Sequence, residues 1–286
     1  MKYAWIKTHS GAYSVARLCR ILGVSRSGFV QWTHRPRSKR QAANEVLAAQ
    51  IKLIHAQHKQ RYGRPRIWQE LASAGYRVGH ERLRRVMLEQ GIRSVHRRKY
   101  RPTTDSAHAL PVAANLLSQQ FKVGEPDRIW LADATYIATT QGWLYLAAVL
   151  DLCTRRIVGW SMSQELNAKL VCDALAMAYG RRKPEPGLIH HSDRGIQYAS
   201  QLFRMRLKRY GIVQSMSRCG NAYDNAPMES FFHTLKVECI HRRQYRSRDE
   251  ARSDVIEFIE GFYNPVRRHS ALDYLSPINF ERSHCS

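Results

Sequence analysis

Three acidic residues have the setting and spacing of a metal-ion site. Asp133 lies inside a predicted strand, Asp193 follows the end of another, and Glu229 lies in the first turn of a predicted helix. The interval between Asp193 and Glu229 is 35 residues. Three carboxylates that converge in this way can hold two divalent ions, as in-line displacement at a phosphodiester requires. We therefore predict that all three are catalytic and metal-binding residues.

Each acid also has a simpler structural explanation. Asp133 could be hydrogen-bonded to neighbouring backbone, Asp193 could be a turn residue before Gly195, and Glu229 could be favoured by the dipole of its own helix. An isolated carboxylate inside a buried strand is costly unless it is paired or binds a cation. The agreement among the three settings favours the metal-binding hypothesis.

Two basic residues share a helix face with Glu229. His233 and Lys236 follow it by four and seven positions, so all three side chains leave the same side of the helix. Both basic residues are predicted to contact the phosphates of bound DNA, and a merely solvated lysine is the alternative for Lys236. Asp224 and Asn225 precede the helix and are predicted to cap it and to set its angle.

The chain from about residue 120 predicts a sheet flanked by helices. The predicted strands are Ile129–Ala138, Trp143–Leu152, Arg156–Met162, Leu188–His191 and Ile212–Ser217. The predicted helices are Asn167–Tyr179, Gln201–Tyr210, Ala226–Val237 and Asp249–Tyr263. This order is that of a ribonuclease-H-like domain, so the predicted fold class is α/β, with a mixed five-stranded sheet and helices on both faces.

Several short stretches around the acids, in one order and at fitting distances, resemble a known family. They are Trp130–Ile137, Asp151 with Arg156–Trp160, His191–Tyr198, Ser215–Arg218, Asp224–Phe232, and Tyr263–Asn264 with Arg267, His269, Leu272 and Pro277. Over nearly its whole length the chain is similar to the catalytic protein of bacterial insertion sequences of the "insertion sequence three" family. These are transposases with an Asp, Asp, Glu core like that of retroviral integrases.

The resemblance implies a transposase with two Mg²⁺ ions per site, for which Mn²⁺ can substitute. It implies cleavage at insertion-sequence ends and strand transfer by the freed 3′ hydroxyl, through a circular or branched DNA intermediate. The implied partners are double-stranded DNA with terminal inverted repeats, target DNA, another copy of the chain on paired ends, and an upstream-frame helix-turn-helix protein or a fusion to it. The resemblance also makes Lys236 the stronger of the two phosphate-contact candidates and makes Asp151 a structural residue.

The first 110 residues are strongly basic, with 23 Lys and Arg against 5 Asp and Glu. This balance predicts a polyanionic partner, for which nucleic acid is the best candidate. Residues 1–40 predict a helix-turn-helix, and residues 41–110 predict a second one followed by a basic linker. Helical hairpins with solvated arginines are the alternative. The arginines predicted to contact DNA are Arg26, Arg82, Arg84, Arg85, Arg97 and Arg98.

The remaining domain boundary is predicted near residue 240. Residues 111–240 are expected to form the catalytic core, and residues 241–286 are expected to form a helical tail. The tail contains a polar cluster that either packs on the core or contacts DNA, and the sequence leaves both possibilities open. The cluster comprises Tyr263, Asn264, Arg267, Arg268 and His269.

Other features argue against several protein classes. The six cysteines include no Cys-x-x-Cys pair, so a structural zinc site or a disulfide framework is not expected, despite the ligand-like spacing of His55 and His58. No apolar run is long enough to span a bilayer, and the start lacks the pattern of a signal peptide. The protein is therefore expected in the cytoplasm, at the nucleoid, without a membrane partner.

Two rival functions remain open from the sequence. The first is a DNA-binding regulator that keeps the fold but has lost catalysis, which the presence of all three carboxylates disfavours. The second is a ribonuclease-H-like nuclease that cuts branched DNA without joining it.

Overall fold

The structure is a computed structural model that describes residues 1–34, 38–94, 111–218 and 222–284. The chain divides into two compact units. The first comprises Met1–Lys59 and Glu70–Arg93, and the second comprises Gln60–Gln69 and Ser94–Ser286. The predicted boundaries at residues 40, 110 and 240 stay predictions.

The first unit is helical. Its helices are α1 (Lys2–His9), α2 (Val15–Ile21), α3 (Arg26–His34), α4 (Lys39–Gln57), the end of α5 (Arg64–Ser73) and α6 (His80–Glu89). Gly23 separates α2 from α3 with a φ of +62°, a conformation that glycine adopts without strain. The hydroxyl oxygens of Ser14 and Ser25 accept hydrogen bonds from backbone N–H groups of the first turns of α2 and α3. The predicted helices are present, and α1 is an additional one.

The second unit contains a mixed five-stranded sheet. Its strands are β1 (Ile129–Thr139), β2 (Gly142–Asp151), β3 (Ile157–Ser163), β4 (Ile189–Ser192) and β5 (Val213–Met216), in the spatial order β3-β2-β1-β4-β5. The first three strands are mutually antiparallel, whereas β4 is parallel to β1 and β5 is parallel to β4. The predicted strands are confirmed to within one residue at each end, and the fold is ribonuclease-H-like.

Helices flank this sheet. They are α7 (Ala168–Arg182), α8 (Ile196–Ala199), α9 (Gln201–Arg209), α10 (Ala226–Glu238), α11 (Arg248–Ile256) and α12 (Pro277–His284), and α11 continues as a π-helix over Glu257–Tyr263. The sequence pattern did not indicate α8 or α12. One apolar core joins the sheet to α7 and α9, with Trp130, Val158, Leu175 and Phe203 among its members. None of the helices in the described residues is long and apolar enough to cross a membrane.

Gly159 allows α7 to lie close to β3. A Cβ atom at this position would lie 2.4 Å from the carbonyl oxygen of Ala174 and 2.6 Å from the backbone nitrogen of Ala178, both in α7. These are backbone atoms, so a side chain at this position would require the helix to move away. The glycine therefore sets the distance between helix and sheet.

The C-terminal residues pack on the core instead of leaving it. The Asn264 side chain accepts a hydrogen bond from Ile157 N at 2.9 Å and donates one to Ile157 O at 3.0 Å, at the start of β3. Arg267 donates to both carboxylate oxygens of Glu238 in a buried ion pair, at 2.7 and 2.9 Å. The Tyr62 hydroxyl donates to Val266 O at 3.3 Å. The sequence left open whether the polar cluster of the tail packs on the core or contacts DNA. Tyr263, Asn264 and Arg267 are buried, so these three residues pack on the core.

Replacement of Gly159 by alanine is expected to lower the free energy of unfolding by about 2 kcal/mol or more, because the new Cβ overlaps the α7 backbone. Urea denaturation followed by circular dichroism measures this change. Gly180→Ala, in α7 itself, is the control, because nothing lies within 4 Å of its Cβ position. It is expected to change stability by no more than about 1 kcal/mol, in the stabilising direction. An unchanged midpoint for Gly159→Ala would contradict the close approach.

Candidate active site

The pairing of β1 with β4 brings two of the predicted acids together. The parallel register runs from Ile129 opposite Ile189 to Leu131 opposite His191. Two residues beyond that last pair, each of the two strands is followed to an aspartate. These are Asp133 in β1 and Asp193 just after β4. Equal offsets on parallel neighbouring strands place both carboxylates at the same level of the sheet. Both residues are partly buried.

Each aspartate is fixed locally by a backbone donor. Asp133 Oδ1 accepts a hydrogen bond from Ala134 N at 2.7 Å, and Asp193 Oδ1 accepts one from Gly195 N at 2.9 Å. Gly195 then starts the short helix α8. The local bonds that the simpler explanations required are therefore present, and each of them engages only the Oδ1 atom of its carboxylate.

Glu229 is presented by α10, whose start is tied to the same strand. The Asn225 side chain donates to the carbonyl oxygen of Ala132 at 3.2 Å, directly before Asp133. Asn225 occupies the position before the helix but makes no side-chain capping bond. The prediction that it caps the helix through its side chain is therefore wrong, because that side chain bonds to β1 instead. Glu229 itself is exposed.

Asp224 is a buried anchor below the start of α10. It accepts hydrogen bonds from Arg218 N, Arg218 Nε and Arg218 Nη2, and from the side-chain amides of Asn115 and Gln119. The bonds from Arg218, together with the other donors, hold the pKa of Asp224 well below its usual value. Asp224 therefore stays ionised and joins β5, the segment before β1 and α10. It does not cap the helix, contrary to the prediction.

The acids interact electrostatically. Burial raises the pKa of Asp133 well above its usual value, and the charges of Asp193 and Glu229 raise it further. The backbone bond from Ala134 and the charge of Lys236 act in the opposite direction. The pKa of Glu229 is also raised by its surroundings, through desolvation. Carboxylates held together at this cost are typical of functional sites.

The donor set suits a divalent cation that prefers oxygen ligands, as Mg²⁺ and Mn²⁺ do. A bound cation would offset the repulsion that raises the pKa of Asp133. Among residues 1–34, 38–94, 111–218 and 222–284, however, no three His, Cys, Asp or Glu side chains lie close enough to hold one ion. Asp133, Asp193 and Glu229 thus act on one another through their charges without forming a closed ligand set.

Of the two predicted phosphate contacts, Lys236 is the one that interacts electrostatically with an acid, Asp133. Its charge lowers the pKa of Asp133, and its Nζ lies 5.3 Å from the ring centroid of Tyr136 in β1. His233 is exposed one turn earlier on α10. The sequence reasoning missed Tyr136, because an aromatic residue in an apolar strand gave no signal apart from core packing.

Neighbouring titratable residues have structural roles. His191 bonds to the hydroxyls of Ser215 at 2.8 Å and Ser217 at 3.1 Å, and burial lowers its pKa to about 4. Burial likewise lowers the pKa of His190 to about 3. Asp151 is fully buried and accepts hydrogen bonds from Thr154 N, Thr154 Oγ1 and Asp127 N. The structural interpretation of Asp151 is confirmed.

The arginines predicted to contact DNA from the first unit have differing surroundings. Arg26 and Arg85 are exposed. Arg84 is exposed and paired with Glu81 at 2.8 Å. Arg82 differs from these residues, because it is partly buried and its Nε donates to Asn44 Oδ1 on α4 at 2.9 Å. Arg97 and Arg98 lie outside the described residues.

Three family models match the chain. Models described as "Integrase core domain" match residues 124–222 and residues 210–277, and a model described as "HTH-like domain" matches residues 41–100. The integrase core matches together include Asp133, Asp193, Glu229 and the polar cluster of the C-terminal tail. The HTH-like match covers all but the first two residues of α4 and the whole of α5 and α6.

Curated relatives match nearly the full length. "Transposase InsF for insertion sequence IS3A" of Escherichia coli (strain K12) is 44% identical over 283 residues, which are 98% of this chain and 98% of that protein. "Insertion element IS600 uncharacterized 31 kDa protein" of Shigella sonnei is 45% identical over 267 residues, covering 93% of this chain and 98% of the relative.

Solved structures give weaker likenesses. The simian T-cell lymphotropic virus intasome in complex with PP2A regulatory subunit B56 gamma aligns with a TM-score of 0.45 and 12% identity, over 83% of this chain and 74% of that chain. The HTLV-2 integrase catalytic core domain in complex with magnesium aligns with a TM-score of 0.39 and 16% identity, over 55% of this chain and 97% of that chain. The fold assignment rests instead on the strand order and the family models.

Asp133→Asn is expected to stabilise the metal-free protein at neutral pH. The folded state raises the pKa of Asp133, so its ionisation costs folding free energy that begins above the unfolded-state pKa and is complete above the folded-state pKa. The cost disappears below about pH 4, where the carboxyl group is protonated in both states. Asparagine should therefore raise the free energy of unfolding at pH 7.5 by on the order of 1 kcal/mol, and by progressively less towards pH 4.

Urea denaturation in EDTA at several pH values measures this difference. Glu185→Gln is the matched control, because Glu185 is exposed, and neutralising it should change stability little at any of these pH values. Destabilisation of the protein by Asp133→Asn at neutral pH would contradict the expectation that ionised Asp133 lowers the stability of the folded state.

Proposed function

The chain belongs to the family of IS3 transposases, and we propose that it cleaves DNA at the ends of its insertion sequence and joins each freed 3′ hydroxyl to another strand. Its integrase core makes it a polynucleotidyl transferase of the Asp, Asp, Glu type. The observation that carries the finer proposal is the placement of Asp133 and Asp193 at equal offsets beyond the last β1–β4 pair. Glu229 acts on Asp133 through its charge from α10.

In this proposal Asp133, Asp193 and Glu229 are the catalytic residues and hold two Mg²⁺ ions, for which Mn²⁺ can substitute. When bound, the ions supply the charge that activates the attacking oxygen and stabilises the leaving oxygen. The donor chemistry supports this assignment, because all three side chains offer carboxylate oxygens. Attack by water and then by the DNA hydroxyl needs no covalent protein intermediate, so no serine or tyrosine nucleophile is proposed.

The residues around the acids bind and orient the DNA backbone. Lys236 and His233, on the helix face of Glu229, are proposed to contact phosphates on either side of the cleaved bond. Lys236 is the better supported of the two, since its charge reaches Asp133. Asn225 and Asp224 fix the start of α10, and the ion pair of Glu238 with Arg267 fixes its end. Both ends of the helix that presents Glu229 are thereby held.

The first unit is proposed to recognise the terminal inverted repeats. The HTH-like match, the exposed arginines and the positive charge of the first 110 residues support this role. Arg26, Arg84, Arg85, Arg97 and Arg98 are the proposed contacts, and Arg82 would act from a partly buried position. Target DNA, a second copy on the paired end, an upstream-frame protein or fusion, and location at the nucleoid in the cytoplasm complete the proposal.

Glu229→Gln is expected to abolish cleavage and joining of labelled DNA that carries the flanking ends, in Mg²⁺ or Mn²⁺. Glutamine keeps the size of the side chain but loses its charge, so the rate should fall by about a hundredfold or more. Gel separation of cut and joined products measures both steps. Glu185→Gln is expected to leave both steps unchanged, because Glu185 is exposed and precedes β4, at the opposite end of that strand from Asp193.

The same assay distinguishes the rival functions. Cutting without joining by the unmodified protein would favour a nuclease. Tight DNA binding without cleavage, with the upstream-frame protein also supplied, would favour a regulator. Full activity of Glu229→Gln would contradict the proposal that Glu229 is a catalytic residue.

A further inference from the structure

The β1–β2 hairpin carries two exposed aromatic rings, one of them on the strand that carries Asp133. Tyr136 is 42% exposed and Trp143 is 49% exposed, in a sheet whose other large apolar residues are mostly buried. Their ring centroids are 4.9 Å apart at an interplanar angle of 79°. Two adjacent aromatic side chains left in contact with water are unusual without a binding role.

Tyr136 and Asp133 lie on β1, beside the edge that β4 leaves unpaired, whereas Trp143 is on β2 and contacts Tyr136. Between Leu131, where pairing with β4 ends, and Thr139, which bridges to Tyr245, no strand among the described residues pairs with β1 on this side. Asp133 and Tyr136 are three residues apart in β1, about 10 Å along the strand, and leave it on opposite faces.

Lys236 is close to the Tyr136 ring and interacts electrostatically with Asp133. Its Nζ lies 5.3 Å from the Tyr136 ring centroid, and its charge also acts on Asp133. A DNA strand that passes over the edge can therefore have a phosphate near the acids and a base near the ring, with the lysine between them.

The hairpin is held firmly and has positive charge beside it. Arg248 Nε donates to Trp143 O at 3.0 Å, and Arg248 N donates to Gln141 Oε1 at 3.1 Å. Thr140 N donates to Tyr245 O at 3.0 Å, which fixes the loop that contains the exposed Arg246 next to the hairpin. Rigid aromatic rings with cations beside them are the means by which proteins bind single-stranded nucleic acid.

We infer that Tyr136 and Trp143 form a stacking platform for unpaired bases of the DNA end whose phosphodiester lies at the acids. The occupant is an unpaired base rather than duplex DNA, because the face of a base is available to a ring only after the base leaves the stack. The inference rests on the proposed function for the location of the cleaved bond. It adds a site that opens the DNA end before cleavage.

The test uses the full-length chain and DNA ends with 2-aminopurine next to the cleavage position. Tyr136→Leu and Trp143→Leu keep an apolar side chain but remove the ring, whereas Tyr136→Phe and Trp143→Phe keep a ring. Each leucine variant is expected to slow cleavage of fully paired ends by roughly tenfold. Ends made unpaired by mismatches should restore most of the rate. The phenylalanine variants, and the control Leu202→Ala at an exposed site on α9, should behave like the unmodified protein.

Fluorescence separates failure of this inference from failure of the proposed function. Binding to the unmodified protein should change the 2-aminopurine emission through stacking, in Ca²⁺ and with Glu229→Gln, where no cleavage is needed. Loss of that change in the leucine variants supports the platform even if no cleavage is found. Unchanged emission and unchanged cleavage in both leucine variants would overturn it. So would an equal loss of rate on paired and mismatched ends, because general damage would then explain the loss.

Discussion

The burial of a carboxylate near other carboxylates, which makes ionisation of Asp133 costly, is the constraint on which the rest of this structure depends. Burial is the main cause of the raised pKa of Asp133. The charge of Asp193, which the parallel register of β1 and β4 leaves at the same level, adds to it. Such a site cannot hold itself together, so packing elsewhere must stabilise it. The core under the sheet contributes this stability, and the close approach of α7 at Gly159 is part of it.

Helix α10 carries the third acid, Glu229, and is fixed at both of its ends. Its start is fixed by Asn225 on β1 and by the bonds of Asp224, and its end is fixed by the ion pair of Glu238 with Arg267. The Arg61 side chain also donates to Glu238 O, at 3.1 Å. Removal of one partner from a buried ion pair strongly destabilises a protein, because the remaining charge is left buried and unpaired. The C-terminal residues therefore contribute to the site by holding the helix that carries Glu229 and Lys236.

The polar residues of the C-terminal tail show why polarity alone does not identify a binding surface. Asn264 replaces a neighbouring strand by bonding both backbone groups of Ile157, and Arg267 neutralises a buried glutamate. Buried polar groups must be satisfied, and these residues satisfy one another. The exposed aromatic residues Tyr136 and Trp143 present the opposite case, apolar groups where packing does not require them.

The sequence by itself determined the kinds of elements and the order in which they occur. Short runs rich in apolar, aromatic and β-branched residues predicted all five strands, and the acids were recognisable because a strand, a strand end and a helix start each carried one. These signals are local, so they can be read from neighbouring residues. Short or terminal helices such as α1, α8 and α12 were missed because their apolar pattern extends over too few turns.

Only the tertiary structure decided which side chains meet. Asn225 and Asp224 looked like caps because their types and position fit one, yet Ala132 O and Arg218 are better partners and come from distant parts of the chain. Arg82 was expected to contact DNA or to be solvated, but its side chain donates to Asn44 on α4. The contact of Lys236 with Tyr136 likewise joins a helix to a strand 100 residues away. Each of these outcomes depends on a register or a helix position that local propensity does not specify, because the chain must fold before the competing partners come within reach.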